Sequence, residues 1–483
     1  MPRHFHRLGL VTATVLLSLT STIKLPGTSV NWAVSAQAQT NQDRRNEALR
    51  LYKIGGQQFN TGQSQEALQT FEQALVIVRA IGDRQSEAVV LSNMGEVYRN
   101  LGQYPQALKY YEQALVIHKE VGNKPGVGTT LSSIGAVYYE LGQYPQALKY
   151  YEQSLVIIKE VGDKAGVGTN FSNIGAVYYE LGQYPQALKY YEQSLVIRKE
   201  VGDKAGVGIT LNNIGAVYNH LGQYPQALKY YEQAFVIIKE VGNKAVKGAT
   251  LNNIGLVYRN LGQYPQALKY LEQSVVIRKE VGDKKGEGAT LNNIGAVYNN
   301  LRQYADAEKT LFAAVEVAES LRPGLTDASK IAIFETQNQT YRLLQQALVA
   351  QNKTNIALEI AERGRARAFV ELLAQRQSAN PNNQITVKPP TIEEIKQTAK
   401  TQNATLVQYS IVYDDLKNQG KEDWRQSALY IWVVKPTGEV AFKQVDLKSL
   451  KTPIADLVTI SRDAMGVRGR GLGVLSRDDA PNQ

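Results

Sequence analysis

The sequence predicts an all-α solenoid of stacked helical hairpins, followed by a shorter α/β segment. Three observations predict it. The ten residues LGQYPQALKY recur letter for letter at 101, 141, 181, 221 and 261, a period of 40. Inside each period apolar residues fall at steps of three and four, the spacing of one helix face. After residue 320 this rhythm stops, and beyond a linker at 378–390 come short β-rich runs around a Pro-Thr-Gly turn. A catalytic site is assembled once, from unlike parts. Verbatim repetition serves stacking, in which each unit presents the same packing surface to the next.

Residues 1–38 stand apart. Arg3 and Arg7 give a positive start, LGLVTATVLLSLTSTI (8–23) is uncharged and mostly apolar, and Ala36-Gln37-Ala38 supplies small residues at a cut. This order predicts a secretory signal peptide, and so an exported protein, periplasmic or extracellular, with no stable membrane insertion after cleavage. An uncleaved N-terminal anchor is the alternative.

Within one period, 205–244, the spacing predicts a helix over 205–221, with Leu211, Ile214, Gly215, Tyr218 and Leu221 on its packing stripe. A second helix runs from Pro225 through Val241, with Ala227, Tyr231, Ala234, Ile237 and Val241 on one side. Gly222 and Gly242 close the two helices where a left-handed residue is wanted. Gly215 and Ala227 are expected to let the helices approach, with Tyr218 and Tyr231 filling the space beside them. Degenerate copies at 47–83 and 287–320 give about seven repeats over 45–325, with Arg302 in place of a corner glycine. Residues 326–377 read as a connecting helical hairpin, and SANPNNQITVKPP (378–390) as a linker. From 391 to 483 follow a short helix, a strand at 404–413, a hairpin at 428–445 turning at Pro436-Thr437-Gly438, and a helix at 449–465.

Leu211, Gly215 and Tyr218, then Gly222, Ala227, Tyr231 and Ala234, resemble the tetratricopeptide repeat, although Lys239 stands where the helix-ending proline is usual. The 40-residue period with a GDK or GNK turn is similar to the long repeats of the Pins and LGN proteins and of kinesin light chain. The resemblance implies a right-handed superhelical solenoid whose first helices line a concave wall. AERGRARAFVELL, TLVQYSIVYDD and LYIWVVKPTGEV resemble the front of the CHAT domain, a caspase-like module found behind such repeats in cyanobacteria. That resemblance covers about 365–475 and implies a protease dyad of histidine and cysteine further along. The sequence has no cysteine, and His4, His6, His118 and His220 match no motif of that family. No catalytic residue is carried over, and the segment is expected to be the N-terminal part of such a domain.

Composition narrows the function further. With 43% apolar and 20% charged residues the chain can bury a sizeable core. The net charge of +10 is not carried by the repeats. Residues 161–200 balance Lys164, Lys189, Arg198 and Lys199 against Asp163, Glu180, Glu192 and Glu200, so no basic stripe argues for nucleic acid. Zero cysteines exclude disulfides, thiol metal sites and a cysteine nucleophile. No metal site, cofactor or enzymatic activity is expected. Arg363, Arg365 and Arg367 read as a helix anchored by Glu359, Glu362 and Glu371, and GVRGRGLGV (466–474) lacks the strand-to-helix context of a phosphate loop.

The candidate site is the face of the first helices turned from the packing stripe. One column is polar and small, containing Asn93, Asn173, Asn212, Asn213, Asn252, Asn253, Asn292 and Asn293. A second varies: Arg99, Tyr139, Tyr179, Asn219, Arg259 and Asn299, beside Asn100, Glu140, Glu180, His220, Asn260 and Asn300. Amides both donate and accept, so the first column can grip a peptide backbone, and the second can give local specificity. The expectation is a scaffold that binds a protein or peptide ligand in this groove, with self-association possible. The alternative is a partial or regulatory subunit of a CHAT-type cysteine protease.

Overall fold

The structure, a computed structural model, describes residues 32–321, 327–364, 389–418 and 421–448. Fourteen helices run in hairpin order: α1 (Trp32–Asn60), α2 (Ser64–Ala80), α3 (Arg84–Asn100), α4 (Tyr104–Glu120), α5 (Lys124–Glu140), α6 (Tyr144–Glu160) and α7 (Lys164–Glu180). They continue with α8 (Tyr184–Glu200), α9 (Lys204–His220), α10 (Tyr224–Val241), α11 (Lys244–Asn260), α12 (Tyr264–Glu280), α13 (Lys284–Asn300) and α14 (Tyr304–Ser320). Behind them lie α15 (Asp327–Ala350), α16 (Thr354–Gly364), α17 (Ile392–Thr401) and the strands β1 (Leu406–Asn418), β2 (Lys421–Val434) and β3 (Val440–Asp446). The expected cut after Ala38 falls inside α1. The phosphate-loop candidate 466–474, the helix at 449–465, and Arg365, Arg367 and Glu371 lie outside the described residues.

The chain forms two compact units, Met1–Val97 and Tyr98–Gln483. In the first, Ala67, Phe71, Ala74 and Val78 of α2 and Ala88, Leu91 and Met94 of α3 are buried, with Leu51 of α1. Glu87 is buried there and is held by Arg79 at 2.8 Å and Arg84 at 2.5 Å.

The second unit repeats one solution. The first helix of a hairpin is capped by the turn residue before it. Asn123, Asp163, Asp203, Asn243 and Asp283 each accept an N–H three residues on, which satisfies an orphan donor of the first turn. The second helix starts with proline in its first turn, at Tyr224 in the repeat analysed above, one residue before the expected Pro225. Gly222 and Gly242 hold φ of 71° and 79°, the left-handed conformation expected of them. Arg302 adopts the same region at φ 58° without the glycine.

Packing follows the predicted stripe with two shifts. Leu211, Ile214 and Gly215 are buried, and so is Val217, while Tyr218 and Leu221 are half-buried. On α10 the core takes Ala227, Tyr231, Ala234 and Ile238. Ile237 is only half-buried and Val241 is exposed, because eleven residues are close to three helical turns and bring 238, not 237, under Ala227. Every first helix from α5 to α9 lays a glycine under a tyrosine of its partner. A Cβ on Gly135, Gly175 or Gly215 would stand 2.8–2.9 Å from the rings of Tyr151, Tyr191 and Tyr231. Ser154, Ser194 and Ser274 donate at 2.7 Å to the carbonyls of Gly128, Gly168 and Gly248, possible only because these helices lie close.

The C-terminal layer continues this core. Leu344, Ala347 and Leu348 of α15, Leu358 and Ala361 of α16, Ile395 and Ala399 of α17, and Tyr430, Trp432 and Val434 of β2 form one cluster with Ala307 and Leu311. Trp432 is fully buried and its indole N–H donates to the carbonyl of Thr354 at 2.9 Å. The sheet is an antiparallel meander in the order β1-β2-β3. Its strands exceed the sequence reading: β1 extends to Asn418 rather than 413, and β2 begins at Lys421 rather than 428. Arg363 is anchored by Glu319 of α14, at 2.7 Å through Nε, not by the glutamates of its own helix.

Candidate functional site

The first helices of successive hairpins touch, α5 with α7, α7 with α9, α9 with α11 and α11 with α13. From α5 to α13 their outer faces therefore form one continuous surface, and the predicted columns from Tyr139 onward lie side by side on it. Across that surface the side chains obey one rule: residue n meets residue n+41 of the next first helix. Arg99 pairs with Glu140 at 2.5 Å. The Tyr139 hydroxyl donates to Glu180 at 3.4 Å. The Tyr179 ring meets His220 edge-on, centroids 5.1 Å apart, and Asn260 donates to Asn219 at 3.2 Å. In the amide column Asn253 donates to Asn212 at 3.3 Å, and Asn293 to Asn252 at 3.0 Å.

The contacts of the second column join the end of one helix to the end of the next, and the amide contacts join their middles. Variation in the second column is thus variation in matched pairs, and a carboxylate already occupies Arg99. Burial pushes the Tyr139 phenol upward, and the nearby Glu180 carboxylate reinforces this, so Tyr139 stays a donor. Tyr184 stacks on His220 at 5.9 Å and meets Tyr179 edge-on at 63°, which makes an aromatic group at the corner of α7, α8 and α9.

The amide ladder uses only part of its capacity. Asn173 and Asn213 make no side-chain hydrogen bond among the described residues. Asn252 and Asn292 are 8% exposed, and the Asn292 carbonyl oxygen is buried without a partner. The carbonyl oxygens of Asn260 and Asn299 are in the same condition, although the Asn299 amide donates to Leu343 O at 2.9 Å. Asn93 belongs to the first unit, where its amide bonds Val89 O at 2.8 Å and Tyr52 at 3.3 Å. Arg259 lies in the same column at the last turn of α11. No group of three or more metal-ligating side chains occurs among the described residues, and none of their helices is long and apolar enough to cross a membrane.

Helical hairpins at a 40-residue period, glycine under tyrosine, and a polar face on the first helices define an α-helical repeat protein. The tetratricopeptide repeat family model matches residues 45–120, 86–160, 166–240 and 246–320, more than half of the chain, and the chain belongs to that family. Tetratricopeptide repeat protein 28 of Mus musculus is 30% identical over 128 residues, and that of Homo sapiens 30% over 137 residues. These matches cover 26% and 28% of this chain and 5% of each relative. Two solved structures share the fold. The STAND signal-transduction ATPase with a tetratricopeptide repeat sensor from Pyrococcus horikoshii has TM-score 0.50 at 16% identity, over 68% of this chain and 47% of that one. Aspartyl phosphate phosphatase F from Bacillus subtilis has TM-score 0.50 at 15% identity, over 61% of this chain and 76% of that one.

Proposed function

We propose that this chain is a protein-interaction scaffold that binds an extended peptide or protein segment along the first-helix face, without chemistry of its own. One observation carries the reading: Asn173 and Asn213, half-buried on this face, make no side-chain hydrogen bond among the described residues. An extended backbone offers alternating donors and acceptors, the complement of an amide ladder. The side-chain preference falls to Tyr139, Tyr179 and Arg259. Residues 391–448 join the repeat core as a support in this reading, and their CHAT-like resemblance assigns them no catalytic residue.

The test is selection from a random peptide display library on the full chain, followed by affinity measurement of the selected peptides. Replacing Asn212, Asn213, Asn252 and Asn253 by Ala is expected to weaken binding by tenfold or more, about 1.4 kcal/mol. Affinity held within twofold would remove the ladder from the binding site.

A further inference from the structure

The second helices carry a regularity that the first-helix face does not explain. At one place in each, α4, α6, α8, α10 and α12 turn a valine to solvent: Val116, Val156, Val196, Val236 and Val276 are 55–66% exposed. On α6 the other exposed positions beyond the first turn are Lys149, Glu152, Gln153, Lys159 and Glu160, all charged or polar. The helix itself gains nothing from a β-branched residue there, since Lys, Glu or Gln is the better former. Half-buried Leu155 and Ile157 flank Val156, and Leu195 and Ile197 flank Val196, which widens the row into an apolar band.

We propose that this band is an interface between two copies of this chain, paired about a two-fold axis that runs along the row of valines. Periodicity selects the occupant: only an array with the same spacing meets every valine at once, and a second copy has it. Charge selects the direction. Four residues before the valines stand Glu152, Glu192 and Glu232, and three residues after them Lys159, Lys199 and Lys239. Among the described residues none of the three glutamates is in an ion pair, nor are Lys199 and Lys239. By contrast Glu160, Glu200 and Glu240, one residue further, are already neutralised by Lys124, Lys164 and Lys204 of their own hairpins.

The two-fold reverses the helices. Glu192, about 6 Å along the axis from Val196, then faces Lys199 of the second copy, about 4.5 Å from its own valine. The repeats stay in register: Val156 meets Val156 of the second copy, Glu152 meets its Lys159, and Lys159 meets its Glu152. A parallel arrangement would set glutamate on glutamate, which opposes association. Self-complementarity of one patch is what an isologous dimer requires.

Sedimentation equilibrium of the full chain tests this. Twice the 53.5 kDa chain mass is expected in the range of about 10–100 μM. The triple change Val156→Lys, Val196→Lys and Val236→Lys should return the chain to single mass, with dimer affinity lowered by about 100-fold and circular dichroism unchanged. Glu152→Lys, Glu192→Lys and Glu232→Lys together should lower affinity by about tenfold, and adding Lys159→Glu, Lys199→Glu and Lys239→Glu should restore it. A wild-type monomer at about 100 μM overturns the proposal, whether or not that monomer binds lipid vesicles or another protein. So does a dimer indifferent to the valine changes, or one whose charge reversal brings no recovery.

Discussion

Gly215→Ala is expected to destabilise the protein in one background and stabilise it in another. The added Cβ would lie 2.8 Å from both Cδ1 and Cε1 of Tyr231, whereas carbons in contact prefer about 3.5–4.0 Å. Tyr231 is 1% exposed, so its ring has no free direction in which to retreat. Overpacking of this kind costs about 1–3 kcal/mol. Against it, alanine is the better helix residue by about 0.8–1 kcal/mol. The net expectation is a loss of up to about 2 kcal/mol. Removing the ring reverses the balance: in a Tyr231→Ala background only the helix term remains, and Gly215→Ala should gain about 0.5–1 kcal/mol. The four proteins are compared by urea unfolding followed by circular dichroism. Because stacked repeats unfold as coupled units, the reading is the direction of the midpoint shift within each background. A neutral or stabilising effect in the wild-type background, or the same sign in both, would refute the claim that Tyr231 makes glycine necessary at 215.

Three further outcomes follow from single residues. Arg302 holds φ 58° where the other corners have glycine, so Arg302→Gly should raise stability by about 1 kcal/mol; an unchanged or lower melting temperature would show that its side chain repays the strain. His118 is buried, and burial holds its pKa below the usual value. The unfolded chain therefore takes up the proton first, and the stability contribution, complete above about pH 6.5, is lost as pH falls toward the folded pKa. The wild type should lose more melting temperature than His118→Leu between about pH 7.5 and 5, and parallel curves would contradict this. Export predicts a mature N-terminus at Gln39 by intact mass, whereas Met1 retained in the cytosolic fraction would exclude it.

The repeat units were legible because their local signals agree. Glycine and proline mark the helix ends, the apolar steps mark the faces, and five copies restate the pattern. The faults are those of counting by whole residues. A step of three from Ala234 pointed to Ile237, but the cumulative turn of 3.6 residues favours Ile238, which is buried. Val217 was passed over for a similar reason, lying beside Ala216 on the boundary between two faces. The strand extensions 414–418 and 421–427 have a different cause. YDDLKNQGKEDWRQS has no apolar alternation, and its pairing is set by the backbone ladder that continues from the core strands, past the irregularity at Val412 and Tyr413.

At the candidate site the sequence places the residues on one helix face but does not give their contacts. The variation of the second column reads in the sequence as local ligand specificity, with Arg99 beside Asn100 and Tyr139 beside Glu140 in their own repeats. Neighbouring first helices are offset by one residue, so the physical pairs run diagonally: Arg99 with Glu140, Tyr139 with Glu180, Tyr179 with His220, Asn219 with Asn260. Charge meets charge, ring meets ring and amide meets amide along that diagonal. Any segment that binds this face by its side chains must therefore compete with contacts between repeats. The amides with unused capacity carry no such penalty, which places recognition of a ligand's backbone ahead of recognition of its sequence.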